Sequence, residues 1–161
     1  MDRITEIALS LGSNLGDRRA HLDFAVARLR TLLGNPRVSH YIETDAQGVA
    51  EPQPRYLNAA MVGETRLSAR DLLTELQAIE RDRGRERPWP AAPRTLDVDL
   101  ILFGEAVIRE PGLAVPHPRF RERRFVLEPL AEIRPDLVDP ETGKTIGRLL
   151  DDNRAAQGGA V

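Results

Sequence analysis

The residues best equipped for chemistry lie in Arg94-Thr95-Leu96-Asp97-Val98-Asp99-Leu100-Ile101-Leu102-Phe103. In a β-strand, residues i and i+2 share a face, so Asp97 and Asp99 project together while Leu96, Val98, Leu100 and Leu102 face the other way. Two adjacent carboxylates repel each other. A hard divalent cation such as Mg²⁺ offsets that repulsion and keeps coordination positions open for phosphate oxygens. The plain alternative is a pair of solvent-facing strand-end residues matched with arginine. Arg94 precedes Asp97 by three residues, and Arg83, Arg85 and Arg87 stand in the loop upstream. Two carboxylates, a metal and several guanidiniums make up the equipment of polyphosphate chemistry, although a solvated charged loop would read the same.

Other positions carry weaker signals. Gln77 and Glu80 sit at i and i+3 and share one helix edge, which suits either a nucleotide or simple solubility. His117 is held between Pro116 and Pro118, an arrangement that fits an imidazole aimed at phosphate as well as a loop histidine. Tyr56 and Asn58 share a strand face, so an aromatic and an amide together offer stacking and edge hydrogen bonds to a flat heterocycle, or else a strand-edge pair. Phe125 and Trp89 are further stackers, with core packing as the alternative for Phe125. His21 reads as an exposed helix residue and His40 as a strand residue. Gly143-Lys144-Thr145 ends like a phosphate-binding loop, but the earlier glycine is replaced by Val138.

Periodicity predicts the elements that must position these groups. Strand 4–11 leads through a turn at Gly12–Gly16 into a helix capped by Asp17, with a stripe of Leu22, Ala25, Val26, Leu29, Leu32 and Leu33. Gly34-Asn35-Pro36 stops that helix. Strands 38–42 and 56–63 follow, then a helix capped by Ser68 with the stripe Leu72, Leu73, Leu76 and Ile79, then strand 95–103. The order is βαββαβ, which predicts an α+β, ferredoxin-like sandwich. Its core would be a four-stranded antiparallel sheet with both helices on one face. A C-terminal hairpin near 106–115 and a helical extension at 124–133 and 146–151 complete a single domain over 1–152, leaving 153–161 as a frayed tail. The polar loops 43–55 and 82–94 are long enough to be functional.

Composition narrows the class of activity. The 161 residues are 41% hydrophobic and 30% charged, a globular balance without a membrane-spanning run. There is no cysteine, which excludes thiol catalysis, disulfides and cysteine-held metals and makes a cytoplasmic setting the default. The net charge of −2 argues against a general nucleic-acid binder. Lys144 is the sole lysine, so 22 of the 23 basic residues are arginine, the side chain suited to multidentate phosphate contacts.

Taken together, Leu11-Gly12-Ser13-Asn14-Leu15-Gly16-Asp17, Tyr56-Leu57-Asn58-Ala59-Ala60, Pro93-Arg94-Thr95-Leu96-Asp97-Val98-Asp99-Leu100 and Val115-Pro116-His117, with Arg123, Phe125 and Pro129-Leu130, resemble the hydroxymethyldihydropterin pyrophosphokinase family. The resemblance spans about 4–152. It implies transfer of a pyrophosphoryl group from ATP to the 6-hydroxymethyl oxygen of 7,8-dihydropterin in folate biosynthesis, with release of AMP. It implies that Asp97 and Asp99 hold two Mg²⁺ ions. Gln77, Glu80, Arg85, Arg87, His117 and Arg123 would contact ATP, and Arg94 and Arg85 would serve the transferring phosphate. Thr44, Tyr56, Asn58 and Phe125 would line the pterin slot, with the ring stacked on Phe125. Two departures stand out. The family's Arg-Trp-Gly-Pro-Arg is here Pro88-Trp89-Pro90-Ala91-Ala92-Pro93-Arg94, and its Thr-Pro-Pro is here Thr44-Asp45-Ala46.

The resemblance implies in-line attack of the pterin hydroxyl on the β-phosphorus with little need of a general base. A nucleotidyltransferase, which would release pyrophosphate, is the rival that product analysis separates; a non-catalytic ferredoxin-like ligand-binding module is the other, and replacing Asp97 or Asp99 with Ala would leave its binding largely intact.

Overall fold

In this computed structural model the described residues are 3–44, 55–84 and 95–158. The elements are β1 (Thr5–Ser13), α1 (Arg18–Leu32), β2 (Gly34–Val38), β3 (Ile42–Thr44), β4 (Tyr56–Thr65), α2 (Ala69–Arg83), β5 (Asp97–Phe103), β6 (Ile108–Glu110), β7 (Leu113–Val115), a 3₁₀ turn (Phe120–Glu122), α3 (Arg124–Ile133) and α4 (Ile146–Gly158). The fold is thus mixed α and β. Its main sheet runs β2-β4-β1-β5, with β3 also paired to β4 and every pairing antiparallel. β6 and β7 form a separate hairpin.

The predicted helix starts are set by side-chain caps. Asp17 accepts from the Ala20 N–H at 3.1 Å and Ser68 from the Asp71 N–H at 3.1 Å, each satisfying a donor that the first helical turn leaves unpaired. Leu22, Ala25, Val26 and Leu29 of α1 and Leu72, Leu76 and Ile79 of α2 are buried against one sheet face, with Leu9, Leu11, Met61, Val98 and Leu100. The other face carries Ala8, Ala60, Val62, Ile101 and Leu102, which α3 and α4 cover with Val126, Leu127, Leu130, Ile146 and Leu149. Among the described residues no helix is long and apolar enough to cross a membrane.

Several boundaries differ from the sequence expectations. Gly12 and Ser13 belong to β1 rather than to a turn, because both pair with β4, as Gly12↔Asn58 and Ser13↔Leu57. Gly34-Asn35-Pro36 ends α1 and at once begins β2. The expected strand 38–42 is therefore split into β2 and β3 around Ser39, whose hydroxyl accepts from the Ala60 N–H. The tail expected to fray from 153 continues α4 through Gly158, with Asn153 buried against the rest of the fold.

Leu102 also leaves the face assigned to it. The β1–β5 register runs Leu9↔Leu100 and then Ala8↔Leu102, so Ile101 is one residue extra in β5. That bulge turns Leu102 toward α3 and α4, away from Val98 and Leu100.

Candidate active site

The two-residue alternation of β-strands places Asp97, Asp99, Ser10, Gly12, Tyr56 and Asn58 on one sheet face. Rows run across the strands as Asp97–Gly12–Asn58 and Asp99–Ser10–Ala60. This is the face that α3 and α4 cover, but their cover reaches Ala60 and stops short of Ser10, Asp99 and the Asp97–Gly12–Asn58 row. The uncovered half is a cleft of about 560 Å³ lined by Ser10, Gly12, Thr44, Tyr56, Asn58, Asp97, Asp99, Arg119, Glu122, Arg123 and Phe125. The acidic pair therefore does share a face, half-buried, with Val98 between them packed into the opposite core.

One wall of the cleft is built for an amide-like edge. Asn58 is 2% exposed, and its Nδ2 donates to Thr44 Oγ1 at 2.6 Å. The Thr44 hydroxyl, having accepted that bond, keeps its own proton to donate. The Asn58 Oδ1 remains an acceptor and lies where a Cβ on Gly12 would come within 3.2 Å of it. Glu43, next in the chain to Thr44, is gripped by Arg18 at 2.5 Å and Arg55 at 3.4 Å, which anchors β3. Tyr56 stands beside Asp97. Burial first, and then the Asp97 charge, push its phenol up, so it stays neutral.

The opposite wall is cationic. The Arg123 guanidinium lies 5.7 Å from the centre of the Phe125 ring, at the start of α3. His117 is fixed from two sides. Its N–H donates to the Ile101 carbonyl at 2.9 Å, and its Nδ1 accepts from the Arg119 N–H at 3.2 Å. In the neutral ring the proton is therefore on Nε2, free to donate. Burial lowers its pKa, and Arg123 and Arg119 push in the same direction against the raising effect of Asp99.

The residues proposed for ATP separate into three groups. Arg123 lines the cleft, and His117, though not among the lining residues, is close enough to feel the Asp99 charge. Glu80 and Gln77 do not line it. Glu80 reaches from α2 to the outer edge of β5 and accepts from the Val98 N–H at 2.8 Å, holding the backbone between the two aspartates. Gln77 is exposed about one turn earlier on α2. Arg85, Arg87 and Arg94, with Trp89, lie outside the described residues.

Sequence reasoning missed Ser10, Gly12, Arg119 and Glu122 as cleft residues. The available signal was Ser10-x-Gly12, two small residues at alternate positions of an otherwise apolar strand. His21 is not the free surface residue expected, since its Nδ1 accepts from Arg83 Nε at 2.8 Å. Gly143-Lys144-Thr145 is a turn closed by the Gly143 N–H on the Asp139 carbonyl, with Lys144 paired to Asp152, so it cradles no phosphate.

Among the described residues no group of three or more His, Asp or Glu converges. On the open face Asp97 and Asp99 present two carboxylates. That donor set fits Mg²⁺, which usually keeps waters and phosphate oxygens beside one or two carboxylates.

The sequence profile of the 7,8-dihydro-6-hydroxymethylpterin-pyrophosphokinase family matches residues 8–135. A 2-amino-4-hydroxy-6-hydroxymethyldihydropteridine pyrophosphokinase of Pseudomonas aeruginosa is 40% identical over 149 residues, covering 91% of each chain. The Bacillus subtilis protein of the same name is 45% identical over 135 residues, 83% of this chain and 79% of its own. A Plasmodium falciparum HPPK-DHPS crystal structure superposes with a TM-score of 0.80 over 100% of this chain at 14% identity, which speaks to the fold alone. This chain spans about half of that one, 48%.

Proposed function

The chain belongs to the 7,8-dihydro-6-hydroxymethylpterin-pyrophosphokinase family, and from that premise we propose how its cleft performs the reaction. The reaction is pyrophosphoryl transfer from ATP to hydroxymethyldihydropterin in folate biosynthesis. The βαββαβ order with its 2-4-1-5 sheet supports a ferredoxin-like reading of the scaffold.

The pterin enters between the Thr44–Asn58 wall and Phe125. Its amide edge carries donors and an acceptor, which match the Asn58 Oδ1 and the Thr44 hydroxyl. Its ring stacks on Phe125. Asp97 and Asp99 would hold two Mg²⁺ ions; when bound, they neutralise phosphate charge and align the chain for in-line attack. Arg123 and the His117 Nε2–H donate to phosphate oxygens as charge redistributes. The hydroxymethyl oxygen forms a bond to the β-phosphorus, the bond from that phosphorus to the oxygen bridging to the α-phosphate breaks, and AMP leaves with that oxygen. The hydroxyl proton passes to solvent or a phosphate oxygen. Loose phosphoryl transfer of this kind asks for position and charge stabilisation more than for a strong base. Arg85, Arg87 and Arg94 take the phosphate-contacting roles that the family resemblance implies.

The observation that carries this assignment of roles is the shared open face, with two carboxylates at one end and the Thr44–Asn58 amide-matching pair at the other. The test is AMP formation from ATP, measured with and without added hydroxymethyldihydropterin. Pterin-dependent AMP that is lost on chelating Mg²⁺ supports the reading. Release of pyrophosphate in its place would point to nucleotidyl transfer.

A further inference from the structure

In the segment between His117 and Arg123, where Phe120 is buried, Arg121 turns toward the 138–145 turn. It enters a polar network that the reaction itself does not call on. Its Nε donates to Asp139 Oδ2 at 2.5 Å and its Nη2 to Asp139 Oδ1 at 2.9 Å, a two-point fork on one carboxylate. The Asp139 side chain is 0% exposed. It also accepts from the Thr142 hydroxyl at 2.8 Å and the Glu141 N–H at 3.1 Å. A buried carboxylate with this many donors has one orientation, and it passes that orientation to the guanidinium.

The network reaches the other end of the segment as well. Arg121 Nη2 donates to Glu141 Oε1 at 3.0 Å, and the same oxygen accepts from Arg109 Nη2 at 2.5 Å. Arg109 Nη1 in turn donates to the carbonyls of Val115 at 3.0 Å and Pro116 at 3.3 Å, immediately before His117. The 138–145 turn therefore ties down both the entry to His117 and the residue two before Arg123. The Arg121 side chain also covers the buried Phe120 ring, 4.8 Å from its centre.

We propose that Asp139, acting through the Arg121 fork, is a positioning residue for the nucleotide side of the cleft, setting where His117 and Arg123 meet the phosphates of ATP. The proposal rests on the reading of those two residues as phosphate contacts. It assigns Asp139 and Arg121 no contact with substrate. Exposed ion pairs contribute little to any such ordering, but a bidentate pair with a wholly buried carboxylate is the geometrically demanding kind.

The experiment compares the unaltered chain with Asp139→Asn, which keeps the shape and removes the charge, and Arg121→Lys, which keeps the charge and removes the fork. Thermal midpoint, kcat, KM for ATP and KM for the pterin are read for each, together with equilibrium binding of a fluorescent ATP analogue with Mg²⁺ in the absence of pterin. The expected result for folded variants is an ATP KM and analogue Kd raised about tenfold, the scale at which displacement of a positioned group is felt, with the pterin KM within about twofold of the parent. Folded variants with unchanged analogue affinity and ATP KM overturn the proposal. So does equal weakening of both substrates, or failure of both variants to fold, since each marks the network as a stability element. Failure of the underlying reading shows separately, as absence of pterin-dependent AMP with the unaltered chain.

Discussion

The His117 backbone N–H donates to the Ile101 carbonyl at 2.9 Å, and Ile101 is the residue by which β5 exceeds its partner β1. The bulge thus does two things. It turns Leu102 into the α3–α4 core, and it offers a carbonyl that docks the histidine loop against the strand bearing Asp99. Bulges commonly re-aim side chains beside active sites.

His117 should titrate below the ordinary histidine value of 6.5 in the free protein, because burial and then Arg123 and Arg119 disfavour the imidazolium more than Asp99 favours it. Addition of Mg²⁺ and ATP brings negative charge to Nε2 and should move the midpoint up. Proton NMR of the imidazole across pH 5–8 checks both directions. A midpoint above 6.5 without nucleotide would contradict the placement.

Asp97→Ala and Asp99→Ala should each lower kcat by at least about 100-fold, the scale of losing one preorganised charge stabiliser. Their folds should persist, because both side chains line an open cleft rather than a core. Circular dichroism with an AMP assay separates the two effects. Near-parental turnover by either variant would remove the metal-holding role.

Gly12→Val should weaken pterin binding about tenfold or more while leaving nucleotide binding in place. Even the first added carbon would stand 3.2 Å from Asn58 Oδ1 and 3.9 Å from Tyr56 Cδ1, at the floor of the slot. Calorimetric titration with each ligand in turn would show the split.

Gly63→Ala is expected to destabilise the fold by about 1–3 kcal/mol, as overpacking does. A Cβ there would meet Leu33 Cβ at 2.9 Å and the Gly34 carbonyl at 3.2 Å, where α1 passes into β2. Denaturant unfolding at constant m-value is the measurement.

Acid stability should report on Asp139. Burial raises its pKa, but the Arg121 fork, the Thr142 hydroxyl and the Glu141 N–H together hold it below the ordinary 3.8. A folded-state pKa below the unfolded one adds stability that is complete above the unfolded value and fades as pH falls through the folded one. The parent should therefore lose this part of its stability below about pH 3.8. Asp139→Asn should lose it at all pH values and show a flatter acid limb in unfolding measured from pH 2 to 7.

The helices, the Asp17 and Ser68 caps and the common face of Asp97 and Asp99 were legible in the residue string, because each depends on neighbours a few positions apart, and the family was legible from short motifs in a fixed order along the chain. Alternation puts i and i+2 on one side of any strand, and a stripe every three or four residues makes a helix wherever it folds. The cleft floor was not legible. Ser10 and Gly12 become site residues only through the register Ser10↔Asp99 and Gly12↔Asp97, a pairing between segments nearly ninety positions apart along the chain. The same holds for the bulge at Ile101, for the half of the sheet face that α3 and α4 leave open, and for the Arg121–Asp139 fork. Local periodicity specifies which way a side chain can point; only the packing of distant segments decides what it meets there.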